Sequence, residues 1–255
     1  MRMNNRMYNY LGLLTTIGTV ALVSATPAQA INANIIDNFD ETDQSVSDDT
    51  ANNTAVETTA ENLSSDFGTL DRTLKANVTT QGNNADGDLS TTIDASGNEV
   101  KVTSADSGVS GIASLIYNDG DGSTFDLSSQ SGLAFSIEQS DSSIPLDITI
   151  DTQAGTGVLN TSIPIVNPGS PAVLESFNFS NFSNSSSLDL AAVNEINYEF
   201  NVPQSADLTL NRTQGTQAVP FEAETSFGLI AVAGFFGYRK FRQYKAKRNN
   251  DSVGA

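Results

Sequence analysis

Apolar and polar residues alternate with a period of two through most of the chain between positions 67 and 210. In Leu146–Ile150, for example, leucine and isoleucine alternate with aspartate and threonine. Such alternation is typical of β-strands with one buried and one wet face. Turns rich in Gly, Asn and Asp separate the runs, as at 118–122 and 167–169. Eight or more short strands with almost no helical periodicity predict an all-β sandwich or jelly roll over residues 67–216.

Two segments depart from this pattern. Residues 112–117 (IASLIY) contain only Ser114 as a clearly polar residue, which predicts a central strand with both faces covered. Residues 35–39 (IIDNF) predict a first strand that pairs far along the chain. The acidic stretch 37–66, rich in Thr, Asn and Ser, predicts a mobile or loosely packed segment, so that 31–66 would be a strand followed by loosely ordered chain.

The N-terminus has the three parts of a secretory signal peptide. Arg2 and Arg6 precede an apolar run at 11–23, and small residues follow up to Ala28-Gln29-Ala30. The pattern predicts export through the Sec translocon and cleavage by signal peptidase after Ala30. The alternative is an uncleaved N-terminal anchor, for which the run of thirteen residues is short.

The C-terminal segment 217–255 combines an apolar run with a basic cluster. Residues 225–238 carry no charge, and six of the chain's twelve basic residues follow within ten positions. The pattern predicts a single transmembrane helix whose basic end stops transfer and stays cytoplasmic. A soluble amphipathic or core helix is the alternative, because fourteen residues are fewer than the about 20 that usually span a bilayer. The stop-transfer cluster is Arg239, Lys240, Arg242, Lys245, Lys247 and Arg248.

A short acidic motif, Pro220-Phe221-Glu222, precedes this helix. Motif, apolar helix and basic end in this order resemble the PFE-type relative of the PEP-CTERM sorting tail of cyanobacterial surface proteins. The resemblance implies processing by an exosortase-like enzyme. We therefore expect the protein to be anchored in the cytoplasmic membrane with its domain outside, and then transferred to the cell surface or released.

Composition narrows the function. Residues 31–238 hold 29 acidic and four basic residues, a net charge of −25, which repels nucleic acid. The chain contains no Cys and no His, so disulfides, thiolate chemistry and the commonest general base are excluded. No Ser, Thr or Lys has a recognisable base beside it, and no catalytic residue is predicted.

A second resemblance concerns the fold. Residues 125–137 (FDLSSQSGLAFSI), and later 177–182 with 188–200, resemble the central strands of galactose-binding-like jelly rolls. The resemblance implies a fold that often binds sugars through its loops. No ligand-contacting residue can be transferred, because no motif fixes one.

One loop is rich in oxygen ligands. Asp119, Asp121 and Asp126 are candidate calcium ligands, because calcium takes about six to eight oxygens. The EF-hand register fails, since the sixth position from Asp119 is Thr124 and the twelfth is Gln130. A solvated hairpin turn is the alternative, and no other cofactor is predicted.

Three functions remain after these exclusions. The first is an exported surface or matrix protein whose β-sandwich binds or structures exopolysaccharide. The second is a structural or adhesive envelope protein without a small ligand. The third is a secreted carbohydrate-active hydrolase with paired carboxylates, which the missing motifs disfavour.

Overall fold

The computed structural model describes residues 31–51, 54–82, 87–104 and 108–218. Within these ranges the chain forms thirteen strands and two short 3-10 helices, Phe179–Asn181 and Ser185–Ser187. The strands are β1 (Ile31–Asp37), β2 (Gln44–Asp48), β3 (Val56–Ser65), β4 (Gly68–Gln81), β5 (Leu89–Asp94), β6 (Glu99–Ser104), β7 (Val109–Asn118), β8 (Gly132–Ser140), β9 (Ile144–Thr152), β10 (Gly155–Ile163), β11 (Val173–Asn178), β12 (Val193–Val202) and β13 (Asp207–Ala218).

The strands form two antiparallel sheets that pack face to face. The seven-stranded sheet has the order β11-β8-β13-β6-β5-β2, and β1 also pairs with β13. The six-stranded sheet has the order β10-β9-β12-β7-β4-β3. The predicted all-β sandwich is therefore confirmed. In the described part of the chain, no helix has the length and hydrophobicity needed to cross a bilayer. The predicted signal peptide, sorting motif, apolar helix and basic cluster lie outside the described residues.

The core lies between the sheets and follows the alternation. On β9, Leu146, Ile148 and Ile150 are fully buried, while the intervening residues face outward. The ring of Phe135 on β8 lies 4.6 Å from that of Tyr198 on β12, which joins the two sheets. Each large side chain buried in this way contributes about 1.5–3 kcal/mol relative to an exposed one.

Strand β7 occupies the centre of the six-stranded sheet, between β12 and β4. Ile116 and Ser114, on the side away from the core, are only 8% and 7% exposed. The prediction of a central strand at 112–117 is confirmed.

The first and last described strands are neighbours. β1 pairs antiparallel with β13, and Ile31 lies opposite Ala218. The predicted long-range pairing of the first strand is confirmed. Residues Ile31–Pro220 form one compact unit that contains both sheets and the core, so a fragment of these residues contains every contact described for the sandwich.

The segment 37–66 differs from the expected loosely packed chain, because β2 and most of β3 lie in it. Val46, Ala60 and Leu63 are buried in these strands. The segment is polar because β2 and β3 are edge strands, whose outward side chains are mostly exposed. Few buried positions are enough to fix an edge strand when its backbone pairs along one side.

A buried arginine holds this segment against β4. Arg72 is fully buried, and its Nη1 donates to Asp37 Oδ2 at 2.6 Å. Its Nε donates to Gln44 Oε1 at 2.6 Å, and its Nη2 donates to the carbonyls of Glu41 and Thr42 at 3.1 and 3.0 Å. The β1–β2 connection is thus fixed by a charged, fully hydrogen-bonded side chain.

The same connection holds two residues in the left-handed region. Phe39 has φ 58° and Thr42 has φ 52°, a conformation that costs non-glycine residues energy. Phe39 is fully buried, and its ring lies 5.9 Å from the Arg72 guanidinium carbon. Packing and the guanidinium hydrogen bonds together hold this strained turn in place.

Candidate functional site

The outer side of the six-stranded sheet is covered with polar side chains. Every second residue of β9, β12, β7 and β4 points away from the core, and most of these are Asp, Glu, Asn, Ser or Thr. We call this surface the polar face. It comprises Asp71, Thr73, Lys75, Asn77, Ile112, Ser114, Ile116, Asn118, Asp147, Thr149, Asp151, Glu195, Asn197, Glu199 and Asn201.

Strand register aligns these side chains in rows. Neighbouring strands are about 4.8 Å apart, so a row from β9 to β4 spans roughly 14 Å. In that strand order the rows are Asp147, Glu199, Ser114 and Lys75; Thr149, Asn197, Ile116 and Thr73; and Asp151, Glu195, Asn118 and Asp71. Each row is carried by the paired backbone of four strands, which fixes its spacing.

Most amide donors beside this face are already used by carboxylates. Asn160 and Asn201 both donate to the Asp147 carboxylate, the latter at 3.4 Å. Asn194 donates to Asp151 Oδ2 at 3.1 Å. These bonds orient the two carboxylates and leave the face with more acceptors than free donors.

Three polar groups of the face lack a partner in the described structure. The side-chain oxygens of Asn77 and Asn197 are buried, and no described group donates to them. Ser114 is 7% exposed, and no hydrogen bond of its hydroxyl is found among the described residues. Buried polar atoms are normally paired, so unpaired ones on an outer face indicate a surface that binds something.

One end of the face is a cleft of about 580 Å³, within the range of about 300–1,000 Å³ usual for small-ligand sites. Asp71, Asn118, Asp151 and Glu195 line its floor, and the loop that begins at Asp119 forms its wall. This loop packs tightly against β4. A Cβ added at Gly120 would lie 1.9 Å from Asp71 Oδ2, so only glycine fits there.

The acidic groups in the cleft affect one another. Burial raises the pKa of Glu195, and the neighbouring Asp151 charge raises this pKa further, while Lys75 acts in the opposite direction. Lys75 itself lies 2.9 Å from Glu57. Ionised Glu195 therefore lacks a close cation of its own.

The three predicted calcium ligands do not form a site. The Asp121 carboxylate accepts from the Ser123 amide at 2.9 Å, and that of Asp126 accepts from the Ser128 amide at 2.7 Å. Hydrogen bonds from Ser128 lower the pKa of Asp126. In the ranges that the structure describes, no group of three or more acidic side chains could hold a metal ion. Asp121 and Asp126 each stabilise their own turn, and only Asp119 reaches the cleft.

The sequence did not reveal the polar face. The alternation predicted that these residues point outward, but Asp147 and Glu199 lie opposite each other only through the pairing of β9 with β12. The one usable signal was Ser114, the polar residue in an otherwise apolar strand.

No protein-family model matches the sequence, and no curated protein matches it. Solved structures with a similar backbone include a family 11 carbohydrate-binding module from Clostridium thermocellum in complex with a β-1,3-1,4-mixed-linked tetrasaccharide. It has 16% identity and a TM-score of 0.38, with 73% of this chain and 96% of that chain covered. A family 29 carbohydrate-binding module mutant has 12% identity and a TM-score of 0.30, with 69% and 98% covered. Similarity at this level assigns neither a family nor a ligand to this chain.

Proposed function

We propose that this chain is an exported surface protein whose β-sandwich binds polysaccharide on the polar face without cleaving it. The observation that carries the proposal is the set of three aligned rows of hydrogen-bonding side chains on the paired backbone of four strands. Rigid strands hold such groups more precisely than loops do.

The chemistry of the face suits a chain of sugars. Carboxylate and amide oxygens accept hydrogen bonds from hydroxyl groups, which every sugar ring carries in number. The face is open and about 14 Å wide across four strands, so it accommodates an extended ligand. Ile112 and Ile116 place apolar surface between the polar rows, where the C–H groups of a sugar ring can pack.

The expected affinity of one domain is modest. The chain has no Trp, and no aromatic residue belongs to the polar face, so binding depends on hydrogen bonds. Each contributes about 0.5–1.5 kcal/mol, or about 1.5–3 kcal/mol when one partner is charged. Many copies displayed on a surface would bind a polymer far more tightly than one copy, because later contacts are intramolecular.

Binding can be tested by co-sedimentation of the fragment 31–218 with exopolysaccharide from the source cells. The variant Asp147→Asn/Glu199→Gln removes two charged acceptors of the first row, and we expect its affinity to fall at least about tenfold. The control Glu138→Gln/Glu175→Gln makes the same change in charge on the seven-stranded sheet and should bind as wild type does. Equal affinity of both variants would contradict the proposed surface. Absence of binding by wild type would favour a purely structural or adhesive protein.

We propose that the C-terminal segment delivers this domain. The six basic residues would stop transfer, and the motif Pro220-Phe221-Glu222 would be the processing site. Replacing the basic residues with neutral ones should release full-length protein into the medium. Replacing Pro220, Phe221 and Glu222 with alanine should keep the protein anchored and block its release. Normal processing of the alanine variant would show that the motif is not a sorting signal.

A further inference from the structure

We infer that the polar face selects polysaccharides that carry protonated amino groups, such as deacetylated hexosamine chains. This inference rests on the proposed function, because it names the ligand class of the same surface. It starts from the charges. The face holds five carboxylates and a single cation, Lys75, whose ammonium group already lies 2.9 Å from Glu57. The five are Asp71, Asp147, Asp151, Glu195 and Glu199.

The hydrogen-bonding balance of the face favours a ligand rich in donors. The amide groups of Asn160, Asn201 and Asn194 are engaged by Asp147 and Asp151. What remains free toward solvent is mainly carboxylate oxygen. A protonated amine offers three N–H donors and no acceptor, so it complements such a surface better than a hydroxyl group, which both donates and accepts.

Partly buried polar groups give independent support. Ser114 is 93% buried, lies next to Glu199 in the first row, and makes no side-chain hydrogen bond within the described ranges. The buried oxygen of Asn197, on the same strand as Glu199, also lacks a described donor. An acceptor without a donor inside a surface of acids indicates that the donor comes from the ligand.

The arrangement of the carboxylates fits separate ammonium groups better than a metal ion. Within the described chain, no three acidic side chains are grouped closely enough to hold a metal. Asp151 and Glu195 are on neighbouring strands, about 4.8 Å apart, and Asp71 is two strands beyond Glu195. A polymer with amino groups at intervals can satisfy such carboxylates one by one.

Acidic polysaccharides should be excluded. Residues 31–218 hold 27 acidic and four basic residues, so a uronate chain approaches a surface of like charge. Like charges brought together at a binding surface cost several kcal/mol.

Calorimetric titration with three oligosaccharides of equal length tests the inference. The probes are oligomers of glucosamine, of N-acetylglucosamine and of galacturonic acid. The full-length chain is used in a polyoxyethylene detergent, which has no sugar headgroup. We expect the glucosamine oligomer to bind at least tenfold more tightly than its acetylated counterpart, and the galacturonate oligomer not to bind. Raising the salt concentration should shrink the preference, because exposed charges are screened.

A matched pair of variants separates local recognition from general attraction to an acidic protein. Asp151→Asn/Glu195→Gln should abolish most of the preference for glucosamine. Glu138→Gln/Glu175→Gln, with the same change in charge on the other sheet, should retain it. Equal losses in both variants would overturn the inference.

The wild-type titrations distinguish the two proposals without any variant. Equal affinity for the acetylated and free amino oligomers would overturn the amine preference and leave polysaccharide binding standing. Tighter binding of galacturonate would also overturn it. If none of the three oligomers nor the native exopolysaccharide binds, the proposed function itself fails.

Discussion

Replacing Arg72 with methionine should destabilise the sandwich strongly, because the change removes one partner of a buried ion pair. Arg72 and Asp37 are both buried, and their charged atoms lie 2.6 Å apart. The variant would leave the Asp37 carboxylate with hydrogen bonds from the Phe39 amide and the Tyr117 hydroxyl, at 2.7 and 3.0 Å, but with no counter-ion. Breaking a buried pair in this way typically costs about 3–5 kcal/mol.

This loss is large relative to the whole domain. A typical domain is stable by about 5–15 kcal/mol. The oxygen of Gln44 and the carbonyls of Glu41 and Thr42 also lose their donor, so the upper part of the range is expected. With a urea dependence of about 2 kcal/mol per molar, the midpoint of unfolding should fall by roughly 1.5–2.5 M.

Urea unfolding of the fragment 31–218, followed by far-UV circular dichroism, measures this shift. Lys75→Met is the control on the same strand, since Lys75 makes an exposed ion pair with Glu57 worth less than about 1 kcal/mol. Adding Asp37→Asn to Arg72→Met removes the unpaired charge, and the two changes should couple by about 1–3 kcal/mol. A loss below about 1 kcal/mol for Arg72→Met would refute the reasoning that this pair holds β1 and the following turn.

Three further outcomes are expected. Gly111→Ala should cost about 1–3 kcal/mol in urea unfolding, because its Cβ would lie 2.3 Å from the Asn77 carbonyl oxygen; an unchanged midpoint would show that β4 and β7 can separate easily. Glu195→Gln should raise the thermal midpoint at neutral pH. The raised pKa of Glu195 means that its ionised form opposes folding, and the gain should vanish as pH falls below about 4.3; a gain independent of pH would contradict this. N-terminal sequencing of the protein from its source cells should begin at Ile31 or within a few residues, and a start at Met1 would contradict signal cleavage.

Much of the fold could be predicted because one physical effect dominates it. Burial of every second side chain is visible in the sequence, so β9 and β12 were found as strands, and the loss of alternation at 112–117 identified β7 as central. The strands β2 and β3 were missed because an edge strand needs few buried residues. Their order depends instead on Arg72, an arginine whose burial no local pattern reveals.

The candidate site could not be predicted for a different reason. Asp147 and Glu199 are separated by more than fifty residues and meet only through strand register. The loop acids were more conspicuous in the sequence, but Asp121 and Asp126 hydrogen-bond to their own turns. Local density of acids indicated turns, whereas the aligned acids are dispersed along the chain.

The most direct test of the proposed surface is an NMR titration of the isotopically labelled fragment 31–218 with fragments of the native exopolysaccharide. The account predicts that the backbone amide signals that shift belong to β9, β12, β7 and β4, and centre on residues such as Asp147, Ser114 and Glu195. Shifts that cluster on β8 and β13 of the opposite sheet, or no shifts at saturating polysaccharide, would contradict the claim that the polar face is the binding surface.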